Sequence, residues 1–470
     1  MLKDVSLSNV GPAPGMGFQA APRLNLLTGD NGLGKTLLLD VIWWALTGSW
    51  PGDNPAYPRQ QYAAGQTQAS DEALYANLSA TLCWRPRADL PTEQLAIDAV
   101  WIWDKHQWQR SWTFTPTPPK APHRRDASDE RVHHPPIVAI YARIDGSYAT
   151  RDSYREGGGG SDEGALSLNA TELWDGKRVP GQGRPRTLCR GLIEDWVSWQ
   201  GTGAPEFEVL KRVLLALSEP GEPLVPGRPT RVRLDDRVDI PTLATPMGEV
   251  PVILASAGTR RILGLAYLLV WSWTEHLRSA ALTQRRPTTD LVVLIDELEL
   301  HLHPKWQRAI VPALLVAVER MESAIEVQVI ASTHSPMVLT SVETLFDEAR
   351  DRLIMLERSG AVVQVNALPF AKAGDVSSWL DSEVFGGVGA RSREAELAIS
   401  AAMEFMAGRI SEAEGALQAC EALLPASDAA PPTALVERIH GALTRTLPSH
   451  DPFWVQWVLT WDSREQDLRR

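Results

Sequence analysis

Leu26-Leu-Thr-Gly29-Asp-Asn-Gly-Leu-Gly-Lys35-Thr36 decides the reading of this chain. Residues 29–36 match Gly-x-x-x-x-Gly-Lys-[Ser/Thr] in full. The strand-like Leu24–Thr28 precedes the loop, and the apolar stretch Lys35–Leu46 predicts a helix that begins inside it. Glycines at this spacing let successive backbone N–H groups turn inward around phosphate oxygens, and the positive helix end adds to that field. The pattern assigns Lys35 to the β- and γ-phosphates of ATP and the Thr36 hydroxyl to Mg²⁺. Gly29, Asn31, Gly32, Gly34 and Leu37 would line the same nucleotide.

Working outward, Leu291-Val-Val-Leu-Ile-Asp296-Glu297 predicts a buried strand over 290–297. It would deliver Asp296 beside the loop to hold the metal through water, with Glu297 on the other side polarising the attacking water. Val327-Gln-Val-Ile-Ala-Ser332-Thr333-His334-Ser335 predicts a second buried strand, with His334 at its tip in reach of the γ-phosphate. Ala255-Ser256-Ala-Gly258-Thr259-Arg-Arg261 opens a long predicted helix running to about 278. Small residues and a glycine at a helix start make either an anion site or a plain serine cap.

The order phosphate loop, Ser-x-Gly helix, Asp-Glu strand, histidine strand resembles the ABC class of ATPases that includes the chromosome-maintenance (SMC/Rad50-like) proteins. More narrowly, Leu26–Thr36, Ile295-Asp-Glu-Leu-Glu-Leu-His-Leu-His-Pro304 and Ser332-Thr-His-Ser-Pro336 resemble the overcoming-lysogenization-defect (OLD-like) ATPases of bacterial antiphage modules. The similarity is specific over roughly 1–50 and 250–345. It implies Glu297 as general base, His334 as the switch residue, and Lys35 with Thr36 and Asp296 at the phosphates and metal. It also implies that Ser256 and Gly258 contact nucleotide held by a second subunit, so that ATP is sandwiched in a homodimer or a higher homo-oligomer. Thr259 stands where the family carries an acid or amide, which bears on hydrolysis and its coupling to dimerisation. Gln60, Gln61 and Gln66 fall in the interval of the family's glutamine loop, in a loop-like setting that leaves the position open.

A chain of 470 residues, 44% apolar and 22% charged, can bury a large core. The expected fold is α/β: an ABC-type head with a mixed sheet and flanking helices, an inserted α+β segment, and a small helical C-terminal region. The expected boundaries are an ATPase domain over 1–370 (a phosphate-loop lobe 1–114, a variable insertion 115–250 and a second motif lobe 251–370) and helices over 371–470. Smaller elements expected are a strand over 2–10 broken at Gly11-Pro-Ala-Pro-Gly15, strand character over 74–84 and 96–114, and a strand over 137–143. Helices are expected over 187–200, 207–218 and 304–322, and a hairpin over 352–357 and 361–366. Two helices to about 423 and two after a linker finish the chain, the last capped by Asp451-Pro452.

The apolar run Ile262–Trp273 is too short to cross a bilayer, and the N-terminus carries no signal-peptide pattern. Cys83, Cys189 and Cys420 are far apart, without a CxxC pair. A cytoplasmic protein is expected. The net charge of −12 disfavours a whole-chain polyanion binder, although Arg184, Arg186, Arg190 and the Arg228–Arg237 cluster leave local DNA contact open. The 18 tryptophans read first as core packing and second as a stacking surface. His301-Leu-His303 has the spacing of a metal pair if it lies on a strand, but the resemblance places this segment at the subunit contact, so a metal is disfavoured there.

Many OLD-like relatives carry a C-terminal nuclease domain needing a strand-borne Asp-x-Asp. Asp347, Glu348 and Asp351 lie on a helix-like stretch instead, so no nuclease is expected in this polypeptide. Trp379-Leu-Asp-Ser-Glu-Val-Phe385-Gly with Arg391-Ser-Arg393 resembles the tail of stand-alone ATPases encoded beside a nuclease, as in Septu-type defence. The expected function is ATP hydrolysis that controls a partner effector, a nuclease, in antiphage defence or DNA repair. A low-turnover nucleotide-binding scaffold is the alternative. A transporter subunit is disfavoured by chain length and the altered signature.

Overall fold

The computed structural model describes residues 1–52, 56, 76–84, 93–102, 107–115, 136–155, 165–181, 183–232, 234, 238–322, 324–360, 362–387, 389, 391–425 and 434–459. The chain divides into two compact units, Met1–Val376 and Ser377–Arg470.

Thirteen strands of the first unit make two sheets. They are β1 (Leu2–Val10), β2 (Ala13–Gln19), β3 (Leu24–Gly29), β4 (Asn77–Trp84), β5 (Glu93–Ile102), β6 (Gln107–Thr115) and β7 (Val138–Ala142). Then come β8 (Tyr148–Asp152), β9 (Ala165–Leu168), β10 (Asp290–Ile295), β11 (Glu326–Ser332), β12 (Asp351–Ser359) and β13 (Val362–Leu368). The first sheet is antiparallel, in the order β2-β1-β4-β5-β6; the second is mixed, in the order β13-β12-β3-β11-β10-β7-β8-β9. In the mixed sheet β12, β3, β11, β10 and β7 run parallel. Their continuous apolar runs explain that placement, because parallel strands are covered on both faces. Every residue of β7 and β10 is buried.

Helix α1 (Lys35–Thr47) lies between the sheets. Its Leu38, Ile42, Trp43 and Leu46 share one core with Val5, Leu7, Leu78 and Leu82 of the antiparallel sheet and Leu294 and Ile354 of the mixed one. Gln328, buried on β11, accepts from Leu2 N at 2.7 Å and donates to Leu2 O and Ala21 O, both at 2.8 Å. That amide fixes β1 to the centre of the mixed sheet. Helix α2 (Leu192–Thr202) and helix α3 (Pro205–Ala216) follow the hairpin Lys177–Val179/Arg186–Cys189. The long helix α4 (Ala257–Leu282) packs along β7 and β8, and α3 packs on both α4 and α5 (Ile310–Met321).

Register aligns the strand ends. Ile295 pairs with both Ala331 and Ala142, and Ser332 pairs with Leu27. The carboxyl ends of β3, β11, β10 and β7 are therefore level, and the segments that leave them crowd along one edge of the sheet.

Several expectations need correction. The Gly-Pro-rich stretch after Val10 turns a hairpin into β2, whose Gly17 lies so close to β1 that a Cβ would meet Val5 O at 2.5 Å. The expected helix from 187 starts at Leu192, after a strand over Arg186–Cys189 and a break at Gly191 (φ +87°). The expected helix over 304–322 is two, Pro304–Gln307 and α5; Trp306 in the first donates to Leu217 O at 2.9 Å. Strand β10 ends at Ile295, so Asp296 and Glu297 lie just past it. Asp351 opens β12, buried and bonded to Arg23, instead of lying on a helical stretch.

The second unit is helical: α6 (Arg393–Met406), α7 (Ile410–Leu423), α8 (Leu435–Thr446) and a helical segment over 453–459. Ala398, Ala401, Ala402 and Ala413 let the helices approach closely, and Leu417, Ile439, Leu443 and Trp457 fill the centre. Trp457 Nε1 donates to His440 Nδ1 at 3.0 Å. Asp451 accepts from Phe453 N at 2.9 Å, the cap that the Asp-Pro pair predicts, and is paired with Arg391 at 2.9 Å. The linker expected at 424–432 lies largely outside the described residues.

Candidate active site

The loop Gly29–Gly34 runs from the tip of β3 into α1. Gly29 adopts φ +126°, and a Cβ there would sit 2.1 Å from Leu356 O of β12, so geometry and space both demand glycine. Helix α1 starts after Gly34 (φ +101°) without a side-chain cap, which leaves its first N–H groups to bind anions. Lys35, buried, turns its Nζ onto Gly29 O at 2.6 Å and Asp30 O at 2.8 Å. Burial lowers its pKa, and the nearby charges of Glu297, Asp296, Asp30 and Glu299 oppose that shift.

The acidic turn meets this loop directly. Thr36 Oγ1 donates to Asp296 Oδ2 at 2.7 Å, across 260 positions of sequence. The other Asp296 oxygen accepts from Ser332 Oγ at 2.7 Å, and Ser332 Oγ also accepts from Glu297 N at 2.8 Å. One serine at the tip of β11 therefore holds both acidic residues of the neighbouring turn. Glu297 is in the left-handed region (φ +48°), a conformation that costs a non-glycine residue ~1–3 kcal/mol and is sustained by its surroundings.

Those surroundings are specific. Arg261 of α4 donates through one terminal nitrogen to Asp296 O at 2.8 Å and Glu297 O at 3.1 Å, and through the other to Arg143 O at 3.5 Å. Glu299 accepts from Thr333 Oγ1 at 2.8 Å and from His334 N. That pair locks the histidine segment onto the acidic one. His334 is half-buried; burial and the neighbouring Lys35 push its pKa below the usual range, so the ring is neutral at neutral pH. Beneath the site, Tyr141 donates to Asp40 Oδ1 at 3.0 Å, and burial raises the Asp40 pKa to about 6.

The structure thus brings Lys35, Thr36, Asp296, Glu297 and His334 together. Ser256 and Gly258 are at the start of α4: Ser256 Oγ accepts from Thr259 N at 3.1 Å and contacts Thr259 Oγ1 at 2.9 Å. Gly258 packs against the turn after Glu297, where a Cβ would meet His301 O at 2.5 Å. His301 (φ +63°) and His303 are in that turn instead of on a strand, and His303 caps the next short helix by accepting from Lys305 N at 3.3 Å. Gln60, Gln61 and Gln66 lie outside the described residues.

Arg184 and Arg186 are exposed on the 177–189 hairpin, while Arg190 lies 3.8 Å from Glu194 and Arg231 2.9 Å from Asp239. The tryptophans Trp43, Trp44, Trp196, Trp199, Trp271 and Trp273 are buried, which favours the packing reading. Sequence reasoning gave no role to Ser332, Glu299, Arg261, Asp40 or Tyr141. The first two stand inside the quoted motifs, where a hydroxyl and a carboxylate at strand tips were available as signals.

Among the described residues no helix is long and apolar enough to cross a membrane. A family model described as "AAA domain, putative AbiEii toxin, Type IV TA system" matches residues 247–340, and one described as "AAA domain" matches 11–71. Between them they span the loop, the Ser-x-Gly helix, the acidic turn and the histidine. The chain is 52% identical over 52 residues, 11% of its length, to "Retron Vc95 probable ATPase" of Vibrio cholerae serotype O1 biovar El Tor. It is 35% identical over 95 residues, 20% of its length, to "Retron Ec83 probable ATPase" of Escherichia coli. It spans only 9% and 14% of the lengths of these two relatives. Among solved structures, an Smc head bound to the C-terminal winged-helix domain of ScpA aligns with TM-score 0.40 and 13% identity, over 79% of this chain and 98% of that one.

Proposed function

We propose that this chain binds ATP with Mg²⁺ between the Gly29–Thr36 loop and the Asp296–Glu297 turn and hydrolyses it. The observation that carries the reading is the 2.7 Å bond from Thr36 to Asp296, which joins a phosphate-type loop to an acidic strand tip. The donor set fits the metal: a hydroxyl and a carboxylate are hard oxygen ligands of the kind Mg²⁺ takes beside substrate phosphates. Bound Mg²⁺ would supply neutralisation of phosphate charge at Thr36 and Asp296.

The chain's own residues do the rest. Lys35 exchanges its loop carbonyls for phosphate oxygens, which offer charge-assisted bonds. Glu297 takes the proton of the attacking water as general base, its backbone held by Ser332 at the N–H and by Arg261 at the carbonyl. His334 donates a hydrogen bond toward the terminal phosphate.

Ser256 and Gly258, at the exposed start of α4, fit nucleotide held by a second copy, so the active assembly is a homodimer or larger. Two relatives named as retron ATPases support a place in antiphage defence, with turnover governing a partner effector, a nuclease. Within the ABC class, the OLD-like assignment rests on the three motif segments alone. The second reading, a scaffold with little turnover, draws on Thr259, which stands where the signature acid or amide would be and whose hydroxyl is turned onto Ser256.

Phosphate release from ATP separates the two. Hydrolysis should fall roughly 10²–10⁴-fold in Glu297→Gln, with ATP still bound. Tight binding with no wild-type turnover, unchanged by the substitution, would establish the scaffold.

A further inference from the structure

The start of α4 and the acidic turn touch at two points. Gly258 sits on His301 O, so close that a Cβ would be 2.5 Å from it. One turn further along the helix, Arg261 spans three carbonyls, Asp296 O, Glu297 O and Arg143 O, at 2.8, 3.1 and 3.5 Å. These carbonyls belong to the segments leaving β10 and β7, adjacent parallel strands with Ile295 opposite Ala142. The Glu297 backbone is therefore held at both ends, its N–H by Ser332 Oγ and its carbonyl by Arg261, in a left-handed conformation at φ +48°. Arg261 is partly buried, and its fork of donors suits several carbonyls at once, which a lysine ammonium matches poorly.

We propose that Arg261 is a positioning residue: its guanidinium fixes the peptide carrying Glu297 and ties that carboxylate to the Ser256–Gly258 helix start. The proposal rests on the ATPase reading and deepens it. A shift of α4, when Ser256 and Gly258 engage nucleotide on a second copy, moves Arg261 and so the Glu297 carbonyl. Occupancy at the Ser256–Gly258 helix start thereby sets the aim of the general base on the adjoining turn. Interaction through a bridging side chain is a physical route for such coupling, since Arg261 holds Asp296 and Glu297 while Gly258 packs on His301 a few residues further along.

The test combines steady-state phosphate release with equilibrium ATP binding for the wild type, Arg261→Gln, Arg261→Lys and the double variant Arg261→Gln/Glu297→Gln. The expected result is a kcat lowered 10–100-fold in both single variants, with ATP affinity within threefold of wild type. In the double variant, the loss should not exceed that of Glu297→Gln alone. Full activity in Arg261→Lys would overturn the proposal, because a buried positive charge would then suffice. So would additive losses, or a loss confined to ATP affinity.

A wild type that binds ATP without turnover overturns the ATPase reading and this inference with it; an active wild type with an unaffected Arg261→Gln overturns the inference alone. If the variants do not fold, hydrogen exchange on the wild-type chain decides. ATP should slow exchange over 257–262 together with 296–300, and protection of 296–300 alone would contradict the coupling.

Discussion

The tips of the parallel strands and the C-terminal helical unit are built on opposite principles. At the strand tips nearly every polar group has a dedicated partner: Thr36 with Asp296, Ser332 with Asp296 and Glu297, Glu299 with Thr333 and the His334 amide. Apolar strands deliver these groups, and the hydrogen bonds aim them. In the C-terminal unit the centre is alanine, leucine and tryptophan, and polar contacts such as Arg391–Asp451 and Arg438–Glu421 lie toward the surface. The first region specifies directions, the second only contact area. A residue lost from the first should cost chemistry, and a residue lost from the second should cost stability.

Trp457→Ala is the severest way to break that contrast. Trp457 is fully buried among α6, α7 and α8, and deleting such a side chain costs ~3–5 kcal/mol. Urea unfolding followed by circular dichroism should show the helical unit melting earlier, with phosphate release within twofold of wild type. A tenfold loss of turnover would give the helical unit a part in the chemistry.

Asp40→Asn sharpens the contrast by separating aim from stability near the site. Burial raises the Asp40 pKa to about 6, above the unfolded value near 4. Between these values the folded chain holds more protons than the unfolded one, so stability falls as pH rises through roughly 4 to 6 and stays lowered above. Asparagine keeps an acceptor for Tyr141 and removes the buried charge. Urea midpoints should therefore show a gain of ~1–2 kcal/mol at pH 8 and almost none at pH 4. Equal effects at both pH values would mean that packing, not charge, governs Asp40.

The same contrast explains what was legible in the sequence. The loop 29–36 and the tips at Asp296 and His334 were readable because phosphate and metal chemistry demand particular residue types at particular spacings. The parallel strands were readable as unbroken apolar runs. Strand β8 was not, because Thr150, Arg151 and Asp152 are buried and polar, with Ser272, the carbonyls of Leu46 and Thr47, and His276 as partners that only the fold supplies. Strand β2 hid behind glycines that lower strand propensity yet permit its close approach to β1. Arg261 was invisible for a related reason. Next to Ser256-Ala-Gly it reads as an ordinary helix residue, and its importance comes from carbonyls 35 and 36 positions away.

At the heart of the proposed function is one Mg²⁺-bound nucleotide held between the glycine loop and the acidic turn. Calorimetric titration of ATP, with and without Mg²⁺, into the wild type and Asp296→Ala tests it directly. Mg²⁺ should tighten ATP binding in the wild type at least tenfold and should lose that increment in Asp296→Ala, while metal-free binding through the Lys35 loop persists. An equal Mg²⁺ increment in both chains, or no ATP binding by the wild type, would contradict the claim.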